Sequence, residues 1–330
     1  MSGDTRAFQA LTRTVGEEIV GRLADVEARL TEIVETRDPS ATAPALSTLR
    51  AGGKRLRPLL VLTCGAIETA DADQQRALVT AGAAVELVHM ATLVHDDVLD
   101  DAALRRGKPT VYAEHGRDAA LQTGDMLFAL AFEALAASGD PDQIRALSHA
   151  SSGLARGELI QREDAFDPTV SRERYLERCT LKTARLFEAA AQLGAFAGGR
   201  AHLAETLARF GSAVGLAFQL ADDVLDVAAP TEQTGKTRGA DLLDGTVNLP
   251  LILAAQRDPS LAGLDLKAID TPEQAAEICD RIIATGAPED VSAEAREHVE
   301  TAKAGLGDEI SPAERAIFES IADQAVGRSF

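Results

Sequence analysis

Helical periodicity is the most regular feature of the chain. Val15, Ile19, Leu23, Val26, Leu30 and Ile33 recur three or four residues apart with charge opposite, which predicts an amphipathic helix near the start. Residues 141–163 and 173–197 repeat that pattern. Start signals mark several boundaries. Thr271 with Pro272 and Gln274, Ser311 with Pro312 and Glu314, and Asp140 ahead of Pro141 each set an oxygen acceptor before a proline at the first helical position. No alternating run is long enough to read as a strand, no hairpin dipeptide joins two such runs, and no fixed-period repeat appears. Loops are predicted at 36–53, 102–118, 164–170, 229–240 and 258–271. The pattern predicts an all-α chain of 330 residues forming one large domain of about a dozen helices, more than a four-helix bundle needs.

Composition supports this. Aromatic residues make up 4% and Trp is absent, whereas strand-rich folds lean on aromatic and β-branched residues. Hydrophobic residues make up 45%, enough for a substantial core. Against 33 basic residues stand 52 acidic ones, a net charge of −19. That balance argues against a nucleic-acid partner, which needs cations to displace phosphate counterions, and against polybasic docking on anionic lipid. Cys64, Cys179 and Cys279 are odd in number and scattered, so they read as reduced thiols packed as small hydrophobes. The first residues carry acids and no apolar core, unlike a secretory signal. No apolar run approaches the roughly 20 residues of a membrane span. The expectation is a soluble, cytoplasmic protein with no stable membrane insertion.

Charge is concentrated in places. Between residues 85 and 110, Asp96 and Asp100 are four apart and share a helical face, with Asp97 and Asp101 as a second pair beside them. They close an apolar stripe of Val85, Val88, Ala91 and Thr92 and precede Arg105, Arg106 and Gly107. Oxygen-only ligands on one face suit a hard cation such as Mg²⁺, which binds through one or two carboxylates plus phosphate oxygens. Guanidinium groups suit the phosphate itself. A solvated acidic helix end followed by a basic loop would look the same. The arrangement recurs, however: Asp222, Asp223 and Asp226 end another apolar helix, with Gln219 one turn before Asp223 and Lys236 and Asp241 following. Two such clusters read as two walls of one site, with cations between them and a diphosphate as the natural occupant. Residues 51–60 add Lys54, Arg55 and Arg57 after Gly52 and Gly53, a compact anion seat in an acidic chain.

Together these segments resemble the trans-isoprenyl diphosphate synthases, or polyprenyl synthetases, and among them the long-chain enzymes. The resemblance spans about residues 40–260. It rests on GGKRLRP, a His seven residues before the first Asp, DDVLD followed by LRRG, GD at 124–125, KT at 182–183, FQLADDVLD and then GKTRGADL. It implies an all-α bundle around a deep cavity, usually a homodimer, that condenses isopentenyl diphosphate with an allylic diphosphate using Mg²⁺. By resemblance, Lys54, Arg57, His89 and Arg106 hold the isopentenyl diphosphate. Asp96 and Asp100 bind the metal on one wall; Asp222 does so on the other, with Asp226 and Asp223 in support. Arg105, Lys182, Thr183, Gln219 and Lys236 contact the allylic diphosphate. Asp97 belongs with the catalytic aspartates. The released diphosphate is the base, and His95 reads as a packing residue. One position departs from the family pattern: Thr246 stands where many members carry Lys.

In this family, bulky residues four and five positions before the first motif stop chain growth. Here those positions hold Thr92 and Ala91, both small, with Val88 behind them. An open channel follows, and a product longer than geranylgeranyl diphosphate, of the kind used as a quinone side chain. Phe132, and second to it Phe128, are candidate floors. A short-chain farnesyl or geranylgeranyl synthase is the alternative. A class I terpene cyclase is disfavoured by the second DDVLD and the intact GGKRLRP, and a regulatory subunit of a heteromeric synthase by the complete aspartate motifs. A plain Mg²⁺ or Ca²⁺ binder is disfavoured by the lack of an EF-hand loop. The last 70 residues, 15 acids against 6 bases, read as a solvated outer layer of helices.

Overall fold

The structure, a computed structural model, describes residues 17–35, 39–105, 107–230 and 237–327. Helices dominate it: α1 Glu17–Glu35, α2 Pro39–Arg50, α3 Leu56–Cys64, α4 Ala72–Leu99, α5 Val111–His115, α6 Arg117–Ala136, α7 Pro141–Glu163, α8 Arg172–Cys179, α9 Arg185–Ala197, α10 Ala204–Ala228, α11 Ala240–Leu243, α12 Leu249–Arg257, α13 Pro259–Ala262, α14 Pro272–Ala284, α15 Ala287–Ala304 and α16 Pro312–Val326. The all-α expectation holds. The start signals hold too: Asp140 caps α7, and Thr271 and Ser311 cap α14 and α16 through complete capping boxes. In α1, Ile19, Leu23, Val26, Leu30 and Ile33 are all buried, as their spacing requires; Val15 lies outside the described residues.

Four expectations change. The predicted loop 258–271 contains the short α13, started by Pro259, and a 3₁₀ turn at Leu266–Ala268. The predicted loop 36–53 contains helix α2, whose Pro44 and small residues mask a buried Ala45/Leu49 pair packed beside α1. The predicted loop 102–118 contains a two-residue hairpin, β1 Leu104–Arg105 and β2 Lys108–Pro109, and the short α5. Strands of two residues are too short to produce a readable alternation. Finally, α4 and α6 are by length and composition apolar enough to cross a membrane, contrary to the reading that no run approaches that length. Two thirds of the most apolar stretch of α4 is buried inside the protein, which marks it as a core helix, against 44% for α6.

The core forms two clusters that meet along α10. Leu207, Phe210, Val214 and Ala217 belong to the larger one, built on α1–α4, α6, α7, α9 and α16. Further along the same helix, Leu220, Val224 and Val227 belong to the second, built with α8, α12, α14 and α15. The acidic C-terminal helices are therefore more than an outer layer. Ile278, Ile282 and Val291 fill the second cluster, and Phe318 of α16 meets Phe210 edge-on with centroids 5.1 Å apart. Helix α9, rich in Ala and Gly, packs against α3, α4, α7 and α10, so it lies between the two helices that carry the aspartate motifs.

Candidate active site

On α4, the part-exposed residues His89, Thr92, Leu93 and Asp96 follow helical spacing and lead to Asp100, the C-cap, whose N–H donates to the Asp96 carbonyl at 2.8 Å. That puts Asp96 and Asp100 on one face, as expected. The second expected pair is split. Asp101 has left the helix with φ +49 and accepts a hydrogen bond from the Tyr112 hydroxyl at 2.7 Å. Asp97 is buried and accepts from Arg105 Nε at 2.6 Å, which ties the hairpin to α4. Asp97 therefore fastens the loop beneath the exposed carboxylates, and Arg105 has one face committed to it. Arg162 of α7 donates to Asp100 at 3.0 Å.

Between α8 and α9 the helix widens into one π turn, Thr180–Ala184. Such a turn inserts one extra residue and rotates the faces before and after it relative to each other. It carries Lys182 and Thr183. Lys182 Nζ lies 2.5 Å from Glu158 Oε2, 3.2 Å from Gln161 Oε1 and 4.0 Å from Asp96 Oδ2. Thr183 Oγ1 donates to Gln219 Oε1 of α10 at 2.7 Å. Glycines admit the neighbouring helices. A Cβ on Gly157 of α7 would stand 2.7 Å from the Lys182 nitrogen, and one on Gly215 of α10 2.8 Å from the Ala184 Cα.

At the end of α10, Asp222 is exposed, Asp226 half-buried and Asp223 buried. Asp223 accepts from the Tyr175 hydroxyl at 2.6 Å and from Gln219 Nε2 at 2.8 Å, so each of its oxygens is held. Burial, and then the charge of Asp241, push its carboxyl above the ordinary value. The segment after α10 folds back on the motif. Gly239 N–H donates to the Asp226 carbonyl at 2.9 Å, Asn248 Nδ2 to Asp241 at 3.0 Å and Arg178 Nη2 to the Val247 carbonyl at 2.5 Å. Thr246, the departure from the family pattern, donates its backbone N–H to the Asp241 carbonyl at 2.7 Å. Lys236 and Arg106 lie outside the described residues.

The basic loop precedes α3. Arg57 places its guanidinium carbon 4.6 Å from the centroid of the Phe187 ring, and its buried Nε has no hydrogen-bond partner. Burial pushes this guanidinium down to about 10, with Glu86 acting the other way. His89, Arg55, Glu86, Asp97 and Arg105 share the lining of one small cavity. His95 does pack as expected: it stacks on Phe128 with centroids 5.9 Å apart, its Nε2 is 3.3 Å from the Leu121 carbonyl, and Gly124 leaves room for the ring.

One turn thus reaches both aspartate helices, Lys182 toward Asp96 and Thr183, through Gln219, toward Asp223. The sequence model of the polyprenyl synthetase family matches residues 38–285. This chain belongs to the polyprenyl synthetase family. It is a prenyltransferase. It is 41% identical over 233 residues, 70% of its length, to heptaprenyl diphosphate synthase component 2 of Geobacillus stearothermophilus, and covers 72% of that relative. It is 36% identical to the geranylgeranyl diphosphate synthase of Methanosarcina mazei, over 75% of this chain and 78% of that one. The polyprenyl synthase of Caulobacter crescentus CB15, whose structure holds calcium and isoprenyl diphosphate, superimposes with a TM-score of 0.88 at 35% identity, covering 96% of this chain and 98% of that one.

Several residues that hold the candidate site together carried little signal in the sequence. Tyr175, Arg178, Glu158 and Asn248 all hold motif residues or their loops. Tyr175 is one of two tyrosines in the chain and stands two turns before Lys182, but only its placement against Asp223 shows its role.

Among the described residues, no three His, Cys, Asp or Glu side chains converge enough to enclose a metal by themselves. The part-exposed pairs Asp96 with Asp100 and Asp222 with Asp226 are oxygen donors of the kind a hard cation takes together with phosphate and water. The charge balance fits as well. Burial is the largest cause raising the Asp96 carboxyl from 3.8 to about 6; Glu158 and Asp100 act in the same direction, and Lys182 and Arg105 oppose it. Glu158 itself, which burial alone would raise, is held below its ordinary value by Lys182 and Arg162. Because the folded value of Asp96 exceeds the unfolded one, the folded chain binds more protons between about pH 4 and 6, and the ionised carboxylate opposes folding above that window. Asp96→Asn is therefore expected to stabilise the metal-free protein at pH 8, on the order of 2 kcal/mol in urea unfolding, with the gain shrinking as pH falls toward 4. A variant no more stable than the parent at pH 8 would contradict this.

Proposed function

We propose that this synthetase condenses isopentenyl diphosphate with an allylic diphosphate, in the presence of Mg²⁺, to give a polyprenyl diphosphate longer than geranylgeranyl, of the kind used as a quinone side chain. The observation that carries the reading is the π turn, whose Lys182 and Thr183 connect the two aspartate clusters. When bound, Mg²⁺ would neutralise charge that develops on a departing diphosphate, and Asp96 and Asp100 on one wall and Asp222 and Asp226 on the other would hold it. Lys182, Gln219 and Thr183 would orient the allylic diphosphate, and Arg105 would add charge from the hairpin. Arg57, with an unpartnered buried Nε over an aromatic face, is suited to an anion, and Lys54, three residues before it, and His89 of α4 would join it there. Arg106 and Lys236 keep the roles that the resemblance implies. The apolar faces of α4 and α10 exclude water from an allylic cation. No side chain is assigned as general base.

Product length follows from the same helix. Ala91 and Val88 are both fully enclosed in the core. Thr92 lies on the part-exposed stripe with His89 and Asp96, its hydroxyl bonded to the His89 carbonyl at 2.8 Å. Thr92 is thus the small residue that leaves room one turn below Asp96, and Phe128 and Phe132 are half-buried on the facing helix α6. The heptaprenyl name of one relative supports a long product. The geranylgeranyl name of another keeps the short-chain alternative in play.

On α6, exposed Leu121 and Ala129 and half-buried Met126, Phe128 and Phe132 are interleaved with exposed Gln122, Asp125 and Glu133, a mixed face to which we assign the homodimer contact. A relative named as a component points instead to a second, different chain, and the complete aspartate motifs argue that this chain is then the catalytic one.

Incubation with radiolabelled isopentenyl diphosphate, farnesyl diphosphate and Mg²⁺ is expected to yield a chain of more than 20 carbons, and no incorporation with any allylic primer would refute the reaction. Thr92→Phe is expected to shorten the product by at least one isoprene unit; unchanged length would remove Thr92 from the channel wall. Sedimentation of the purified chain is expected to give twice the monomer mass, and a monomer that is fully active would contradict the dimer.

A further inference from the structure

Two arginines in the loop before α3 stand two residues apart and have opposite fates. Arg55 has a left-handed backbone, φ +48 and ψ +37, uncommon for a residue with a Cβ. That conformation turns its side chain inward. It is 8% exposed, it meets Glu27 of α1 through Nε, and it donates from Nη2 to Glu27 Oε2 at 3.2 Å and to the Leu49 carbonyl at 3.3 Å. Its Nη1 donates to Glu86 Oε1 of α4 at 2.6 Å, and Glu86 is 3% exposed. Arg57 has no such partner. Among the described residues it makes no ion pair, its Nε is unpartnered, and its cation rests on Phe187. Pro58, the residue after Arg57, lies against Gly82 of α4, one turn before Glu86: a Cβ on Gly82 would stand 3.7 Å from the Pro58 Cα. The Glu86 charge acts on Arg57 in the direction that stabilises the cation.

A buried carboxylate beside two guanidinium groups will pair with whichever can reach it, because leaving it unpaired is costly. Here Arg55, from its left-handed backbone, holds Glu86. We infer that Arg55 is a positioning residue: by occupying Glu86 it keeps the guanidinium of Arg57 available to the diphosphate of the incoming substrate. Glu27 shares the task but is part-exposed, so solvent satisfies it when Arg55 is absent. This inference rests on the reading of Arg57 as a ligand of isopentenyl diphosphate, and it gives Arg55, although a member of the basic loop, no contact with that ligand.

The test is equilibrium binding of isopentenyl diphosphate by calorimetry, with no allylic substrate present. Arg55→Gln is too short to hold both carboxylates and leaves Glu86 to Arg57; binding is expected to weaken about tenfold, as for loss of a hydrogen bond to a charged group. The double variant Arg55→Gln/Glu86→Gln is expected to recover to within about threefold of the parent, since the competing charge is gone. Glu86→Gln alone is expected to bind as tightly as the parent or more tightly. A double variant as weak as Arg55→Gln, or a weakened Glu86→Gln, would overturn the inference. If Arg55→Gln does not fold, the Glu86→Gln affinity decides the matter by itself. Binding is read without turnover, so a chain that shows this affinity order but forms no product refutes the proposed reaction and leaves the role of Arg55 standing.

Discussion

One extra residue in a helix is the feature on which the site depends. The π turn at Thr180–Ala184 packs between α7 and α10, and its consecutive side chains reach one toward Asp96 of α4 and one toward α10. A regular helix through this region would bring α8 and α9 to the core in a different register. Either the face holding Tyr175 or the face holding Leu186 and Phe187 would then lose its burial. The turn persists because both faces are packed and because Gly157 and Gly215 let two helices close on it. The same packing that holds the unusual turn also places the cation and the hydroxyl.

Charge is handled by fastening some members of each cluster so that others stay exposed. In the first motif Asp97 is buried against Arg105; in the second Asp223 is held by Tyr175 and Gln219. Asp96, Asp100, Asp222 and Asp226 remain on accessible faces. The middle aspartate of each run thus works as an anchor, and its buried charge is tolerable only because it is hydrogen-bonded. The basic loop follows the same division, with Arg55 anchored and Arg57 left over an aromatic ring.

The net charge of −19 does not come from the site. The acidic C-terminal helices carry much of it on outward faces while their apolar faces close the second core cluster around the end of α10. Those helices support the second aspartate motif from behind: α14 and α15 pack against α10, and the loop after it is tied by Arg178 and Asn248.

Local rules were enough for much of this. Helical period, proline-capped starts and the paired aspartate runs are properties of residues a few positions apart, so the sequence by itself determined the all-α class, most helix positions and where the two aspartate runs end their helices. It failed where the signal was short or masked: α2 with its internal Pro44, the two-residue hairpin, and the apolar length of α4. Which aspartates are exposed and which are anchors, whether Ala91 or Thr92 meets open space, and which of two neighbouring arginines stays without a carboxylate were decided only in three dimensions. Each of those answers depends on a partner 8 to 48 residues distant or on enclosure by other helices, and burial and pairing across such distances are not encoded in the spacing along one strand of chain.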